Sequence, residues 1–190
     1  FNLSPKDLPY FRTLHSLGYH GLGLAQADLM SREDWKEFSR MMGMNFDGIT
    51  SSDADEGLIL PQGRDNDRYL RMIDRAALRC VPLEKEFNDQ RRYDLHFFML
   101  EKIDKALKAF KSDREKVSFT DMISKYVEQG NTPKLKILIV DEAQDLVPLQ
   151  WKMVELLASN SEYTYFAGDD DQAIHKWAGV DVNLFMKCSE

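Results

Sequence analysis

The sequence predicts an α/β protein in which a parallel sheet in the last third follows a mostly helical middle. Three observations carry this. The last third alternates strand-like runs with a helix: LKILIV at 135–140, a segment opened by Pro148, then YTYFA at 163–167. Strands that alternate with helices favour a parallel sheet. Between Ser31 and Gly130 the apolar residues recur at helical spacing. Two Ser-x-x-Asp pairs, Ser31 with Asp34 and Ser118 with Asp121, stand where a helix would start, and Gly43 and Gly130 stand where it would stop.

Taken in order, residues 10–14 (YFRTL) read as a short strand, with a helix from His15 weakened by Gly18, Gly21 and Gly23. The next helix places Trp35, Phe38, Met41 and Met42 on one face. Residues 44–64, rich in Gly, Asp and Ser, read as a loop. Tyr69, Met72, Ile73, Ala76 and Ala77 form one helical set, and Leu95, Met99, Ile103, Ala106, Leu107 and Phe110 another. The helix opened by Ser118 ends near Gly130 and Pro133. A buried strand at 135–140, a helix with Pro148 in its first turn, a strand at 163–167 and short helices complete the chain. No repeat or low-complexity linker interrupts it.

Composition narrows the class. The 190 residues suffice for one or two domains, and 43% hydrophobic with 30% charged residues is an ordinary globular balance. A net charge of −7 argues against a surface built wholly for nucleic acid, but leaves room for a local basic groove. No apolar run approaches the about 18 residues of a membrane span, so no membrane partner is expected. Cys80 and Cys188 match no metal or redox spacing. An intracellular, cytoplasmic setting is the default.

The chemistry gathers at strand ends. The run Ile137–Val140 stops at Asp141-Glu142, and Gln144-Asp145 follow. Ligands of open α/β sheets bind beyond the carboxyl ends of the strands. An Asp there holds hydrated Mg²⁺, and a carboxylate one residue on can orient or deprotonate water, a division that suits phosphoryl transfer. The plain alternative is that Asp141 and Asp145 cap the following helix; Asp145 reads as a cap in either case. The next strand ends in Gly168-Asp169-Asp170-Asp171-Gln172. If the two strands are neighbours, the neutral Gln172 sits near the same phosphate as both donor and acceptor. Trp177 offers a face for a base stack worth roughly 1–3 kcal/mol. Alone it would read as a core aromatic, and the three Asp as a solvated turn.

"LIVDEAQDLVPLQ" and "FAGDDDQAIHKWAGV" together resemble motifs II and III of the UvrD/Rep-like helicases of superfamily 1. "FRTLHSLG" resembles the short segment carried ahead of motif II, and "VSFTDMI" the aspartate-containing helix before it. The resemblance implies an incomplete RecA-like P-loop NTPase sheet with an inserted helical subdomain. Residues 1–25 would begin the 1A domain, 26–112 would be a 1B-like insertion, and 113–190 the rest of 1A. It implies a DNA helicase or translocase using ATP and Mg²⁺ on single-stranded DNA and duplex junctions, together with the remaining helicase domains. Asp141 matches the Mg²⁺-holding aspartate of Walker B and Glu142 the catalytic base. Gln144 and Asp169 belong to the nucleotide-side motifs, and Gln172 matches the glutamine that contacts the terminal phosphate. Trp177 and His175 match base-stacking positions, and Thr13 and His15 the segment along the DNA strand. Ala178 stands where the family carries arginine, and His175 where it carries tyrosine. No G-x-x-x-x-G-K-[ST] occurs in these residues. The phosphate cradle is therefore expected before Phe1, and residues 1–190 alone are expected to be inactive.

Three other readings fit parts of the pattern. Asp141, Glu142 and Asp169–Asp171 would serve a metal-dependent phosphoesterase or nuclease. Trp177 and His15 would serve a non-catalytic DNA-binding module. Trp35, Phe38 and Met42 would form an exposed patch in a protein-interaction module.

Overall fold

The computed structural model describes residues 10–48, 66–90, 95–169, 171, 180 and 182–186. These form a mixed α/β structure. Its helices are α1 (Leu14–Gly21), α2 (Arg32–Met42), α3 (Asp67–Leu78), α4 (Leu83–Gln90), α5 (Phe97–Asp113) and α6 (Phe119–Gln129). Strand β1 (Leu135–Val140), helix α7 (Pro148–Ala158), strand β2 (Ser161–Phe166) and helix α8 (Val182–Met186) follow.

The helix signals act locally. The Ser31 hydroxyl accepts from the Asp34 N–H at 3.2 Å, while the Asp34 carboxylate accepts from the Ser31 N–H at 2.8 Å. Ser118 and Asp121 repeat the exchange at 3.3 and 2.9 Å. Gly43 and Gly130 end these helices at φ of 63° and 68°, where a side chain would be strained. The expected strand at 10–14 is absent. Thr13 is instead the N-cap of α1, its hydroxyl accepting from the Ser16 N–H at 3.2 Å, so Leu14 already belongs to a helix.

The helical segment has its own core. Phe38 is fully buried, with ring centroids of Phe46 and Phe110 each 5.4 Å away, and Trp35 packs beside it. This burial contradicts the exposed Trp35–Phe38–Met42 patch; Met42 packs against the same core. Met41 and Ala77, expected on buried faces, point outward. Helix α4 is not anticipated from the sequence; its apolar residues are few, with Leu83 and Phe87 packing against the core. Its one buried residue is Glu86, paired with Arg75 on α3 at 3.0 Å and with Arg79, the C-cap of α3. The two ends of the segment meet: Val117 donates to the Asp28 carbonyl at 2.8 Å, Met30 to the Val117 carbonyl at 3.1 Å, and Lys116 pairs with Asp34 at 3.1 Å.

A second core joins α6, α7 and the last residue of α3. Ile123, Tyr126, Val147, Met153, Leu157 and Leu78 are among its buried residues. Strands β1 and β2 pair in parallel, from Leu135 opposite Ser161 to Val140 opposite Phe166, with α7 as the crossover. Strand β2 starts two residues before its expected position at 163. Side chains alternate across a strand, so Leu138, Val140 and Phe166 face α7, where Trp151 and Val154 are buried. The opposite face is open: Ile137 is 51% exposed, Ile139 70%, Tyr163 58% and Tyr165 56%. The strand expected to be buried is therefore buried on one side only, because all the helices described against the sheet lie on the α7 side.

Candidate functional site at the strand ends

The parallel pairing continues past the strands. Ala167 donates to the Val140 carbonyl at 2.8 Å and Ala143 donates to the Ala167 carbonyl at 3.0 Å. Between them Asp141 and Glu142 stand exposed at the carboxyl end of β1. Glu142 has φ of 51° and ψ of 39°. For a residue with a Cβ this left-handed conformation costs roughly 1–2 kcal/mol. It turns the chain so that the Glu142 side chain meets Gln144.

Gln144 is 2% exposed. Its amide nitrogen donates to the Glu142 carboxylate at 2.6 Å, and its carbonyl accepts from the Asp169 N–H at 3.2 Å. The Asp169 carboxylate accepts in turn from the Asp171 N–H at 3.1 Å. Gly168 completes the fit. A Cβ there would lie 2.4 Å from the Gln144 oxygen and 3.0 Å from the Phe185 ring, so only glycine lets the β2 end approach so closely.

Asp141 and Asp145 do not cap α7. Pro148 opens that helix from Val147, whose N–H donates to Gln150 at 3.0 Å. Residues Ala143–Asp145 form a separate turn of 3₁₀ helix, and Asp145 is its last residue. One Asp141 oxygen accepts from the Glu142 N–H at 3.0 Å. Asp141 is exposed, and a carboxylate at that position is the kind of oxygen ligand hydrated Mg²⁺ takes. Among the described residues no three His, Cys, Asp or Glu side chains gather into a metal cluster.

Thr13 and His15 lie at the start of α1, away from these carboxylates in sequence but linked to them by packing. Leu14, between them, packs against the Val140–Ala143–Trp151–Val154 cluster beneath the site. His15 stacks edge-on against Phe119, with centroids 5.8 Å apart, and burial holds its imidazole below the ordinary range. Gln172, His175 and Trp177 lie outside the described residues. Sequence reasoning missed two features of the site, the burial of Gln144 and the close approach at Gly168. The only local signal for the second was a glycine directly ahead of three acidic residues.

The fold and the site define a parallel-sheet α/β unit whose acidic groups converge at the carboxyl ends of its strands. The chain belongs to the family described as the UvrD/REP helicase N-terminal domain, which matches residues 7–190. It is similar to the ATP-dependent DNA helicase Rep of Buchnera aphidicola, with 42% identity over 52 residues, 27% of this chain and 8% of that protein. It is also similar to the ATP-dependent DNA helicase PcrA of Staphylococcus epidermidis, with 28% identity over 116 residues, 56% of this chain and 15% of that protein. DNA helicase II of Haemophilus influenzae matches at 36% identity over 50 residues, 26% of this chain and 7% of that protein. The matched stretches thus span a small part of these relatives' lengths. No helix among the described residues is long and apolar enough to cross a membrane.

Proposed function

We propose that this chain is the motif II and III portion of an ATP-dependent DNA helicase, acting in the cytoplasm within a longer polypeptide. In this reading Asp141 holds Mg²⁺ through water, and Glu142 takes the proton of the water that attacks the terminal phosphate of ATP. Gln172 contacts that phosphate, and Gln144 and Asp169 frame the nucleotide side of the site. Mg²⁺ supplies charge neutralisation for the phosphates when bound. Thr13, His15, His175 and Trp177 touch single-stranded DNA near a duplex junction.

The observation that carries the reading is the convergence at 141–144 and 167–169. Two strand ends, each followed by acidic residues, are brought side by side by a parallel pairing. The open face of the sheet supports a larger RecA-like sheet. Parallel sheets are covered on both faces, and paired Ile137–Tyr163 and Ile139–Tyr165 form an apolar surface suited to further helices of the same polypeptide. The closed ends of the helical segment at Leu29 and Val117 support an insertion, with 1–25 and 113–190 belonging to one domain and 26–112 to another.

The test separates binding from turnover in the complete polypeptide. Glu142→Gln keeps the shape of the side chain and removes its basicity. It is expected to leave Mg²⁺–ATP affinity nearly intact while lowering turnover by about 10²–10⁴-fold, the usual range for a general base. Turnover near the unmodified rate would remove Glu142 from the chemistry.

A further inference from the structure

We propose that Gln144 is a positioning residue rather than a nucleotide ligand: its buried amide locks the Glu142 carboxylate to the turn that follows β2. The inference rests on the reading of Glu142 as the water-activating base. A glutamine that contacted phosphate would need a free amide end facing the site. Here both ends are engaged inside the protein, on Glu142 at 2.6 Å and on the Asp169 N–H at 3.2 Å. The orientation of the amide follows from its partners. A carboxylate accepts and never donates, and a backbone N–H donates and never accepts, so only one assignment of nitrogen and oxygen satisfies both. With the side chain 2% exposed, losing either bond would strand a buried polar group.

The surroundings are shaped to this amide. Gly168 lacks the Cβ that would otherwise sit 2.4 Å from its oxygen. Ala143, the residue between Glu142 and Gln144, is fully buried and bonded to the Ala167 carbonyl at 3.0 Å. The backbone on one side and the amide on the other therefore tie the same short turn, 141–144, to the same short turn, 167–169. Any displacement of the Asp169 backbone is carried to the Glu142 carboxylate through the Gln144 side chain.

The experiment uses the complete polypeptide and three substitutions. Gln144→Met keeps length and bulk without the hydrogen bonds. Gln144→Glu keeps an acceptor for Asp169 but sets a carboxylate against Glu142. Gly168→Ala pushes on the amide from the other side. Each is expected to lower kcat by about ten- to a hundredfold, the range typical of outer hydrogen-bond partners, with Mg²⁺–ATP affinity nearly unchanged. Hydrogen exchange at the Asp169 amide gives a readout independent of activity: faster in Gln144→Met, still protected in Gln144→Glu. Unchanged exchange in Gln144→Met, or unchanged kcat, overturns the bridge. Loss of ATP affinity at constant kcat would make Gln144 a nucleotide ligand, and full activity in Gln144→Met would make it core filling; both also overturn the proposal. If the unmodified protein hydrolyses no ATP, or Glu142→Gln turns over normally, the underlying reading fails, and the exchange data still report whether the amide bridge exists.

Discussion

Asp74 offers a quantitative test of how the helical segment joins the sheet side. It lies on α3, where burial pushes its carboxyl from 3.8 up to about 6. The nearby Lys111 ammonium and a hydrogen bond with Thr120 pull the other way, while Asp121 adds to the rise. Lys111 is itself committed to Asp121 at 2.5 Å, so it neutralises Asp74 only in part. Because the folded value is raised, the folded chain binds the proton more tightly than the unfolded chain. This contribution to stability is full below pH 3.8 and is lost as pH rises through about 6. The difference corresponds to about 3 kcal/mol at neutral pH. Asp74→Asn mimics the protonated form. It is expected to raise the unfolding free energy by up to about 3 kcal/mol at about pH 7.5 and to match the unmodified chain at about pH 3.5. Urea unfolding followed by circular dichroism across this range measures it. A variant that is less stable at neutral pH, or a difference that does not change with pH, would refute the reasoning.

Two further expectations rest on the contact between α1 and α6. Gly21→Ala puts a methyl group 2.4 Å from the buried Tyr126 ring, and is expected to cost about 1–3 kcal/mol in chemical unfolding despite the better helix propensity of alanine; a stabilised variant would show that the two helices do not pack as described. Burial lowers the His15 imidazole from 6.5, so its contribution is full above pH 6.5 and is lost as pH falls through the lower folded value. His15→Asn is expected to flatten the loss of stability on acidification, read as urea midpoints at neutral and mildly acidic pH, and an unchanged slope would place His15 in solvent.

Much of the fold was legible where the signal is local. The Ser31–Asp34 and Ser118–Asp121 exchanges involve residues three apart, and β1 runs over the expected 135–140. The misreadings share a cause, which is partners distant in sequence or competing local preferences. The YFRTL segment has strand-forming residues, but the Thr13 hydroxyl satisfies the first turn of a helix instead. Helix α4 is held by Arg75 and Arg79 gripping a buried Glu86 and by only two apolar residues, Leu83 and Phe87, too short a pattern to announce it. The motif carboxylates were legible as a pattern. The role of Gln144 was not, because its second partner, Asp169, lies 25 residues on and is brought there only by the parallel pairing. Asp145 looked like a cap because it precedes a helix, yet Gln150 reaches back to Val147 and closes that end without it.

The central claim, that Asp141 and Glu142 serve ATP hydrolysis coupled to DNA, is tested most directly by one comparison on the complete polypeptide. Phosphate release from Mg²⁺–ATP is measured with and without single-stranded DNA, while strand cleavage is followed in the same reactions and in Mg²⁺ alone. The account predicts phosphate release that rises with DNA, falls by about 10²–10⁴-fold in Glu142→Gln, and leaves the strand intact. Strand cleavage without ATP that depends on Asp141 and Glu142 would contradict it and make the site a metal-dependent nuclease.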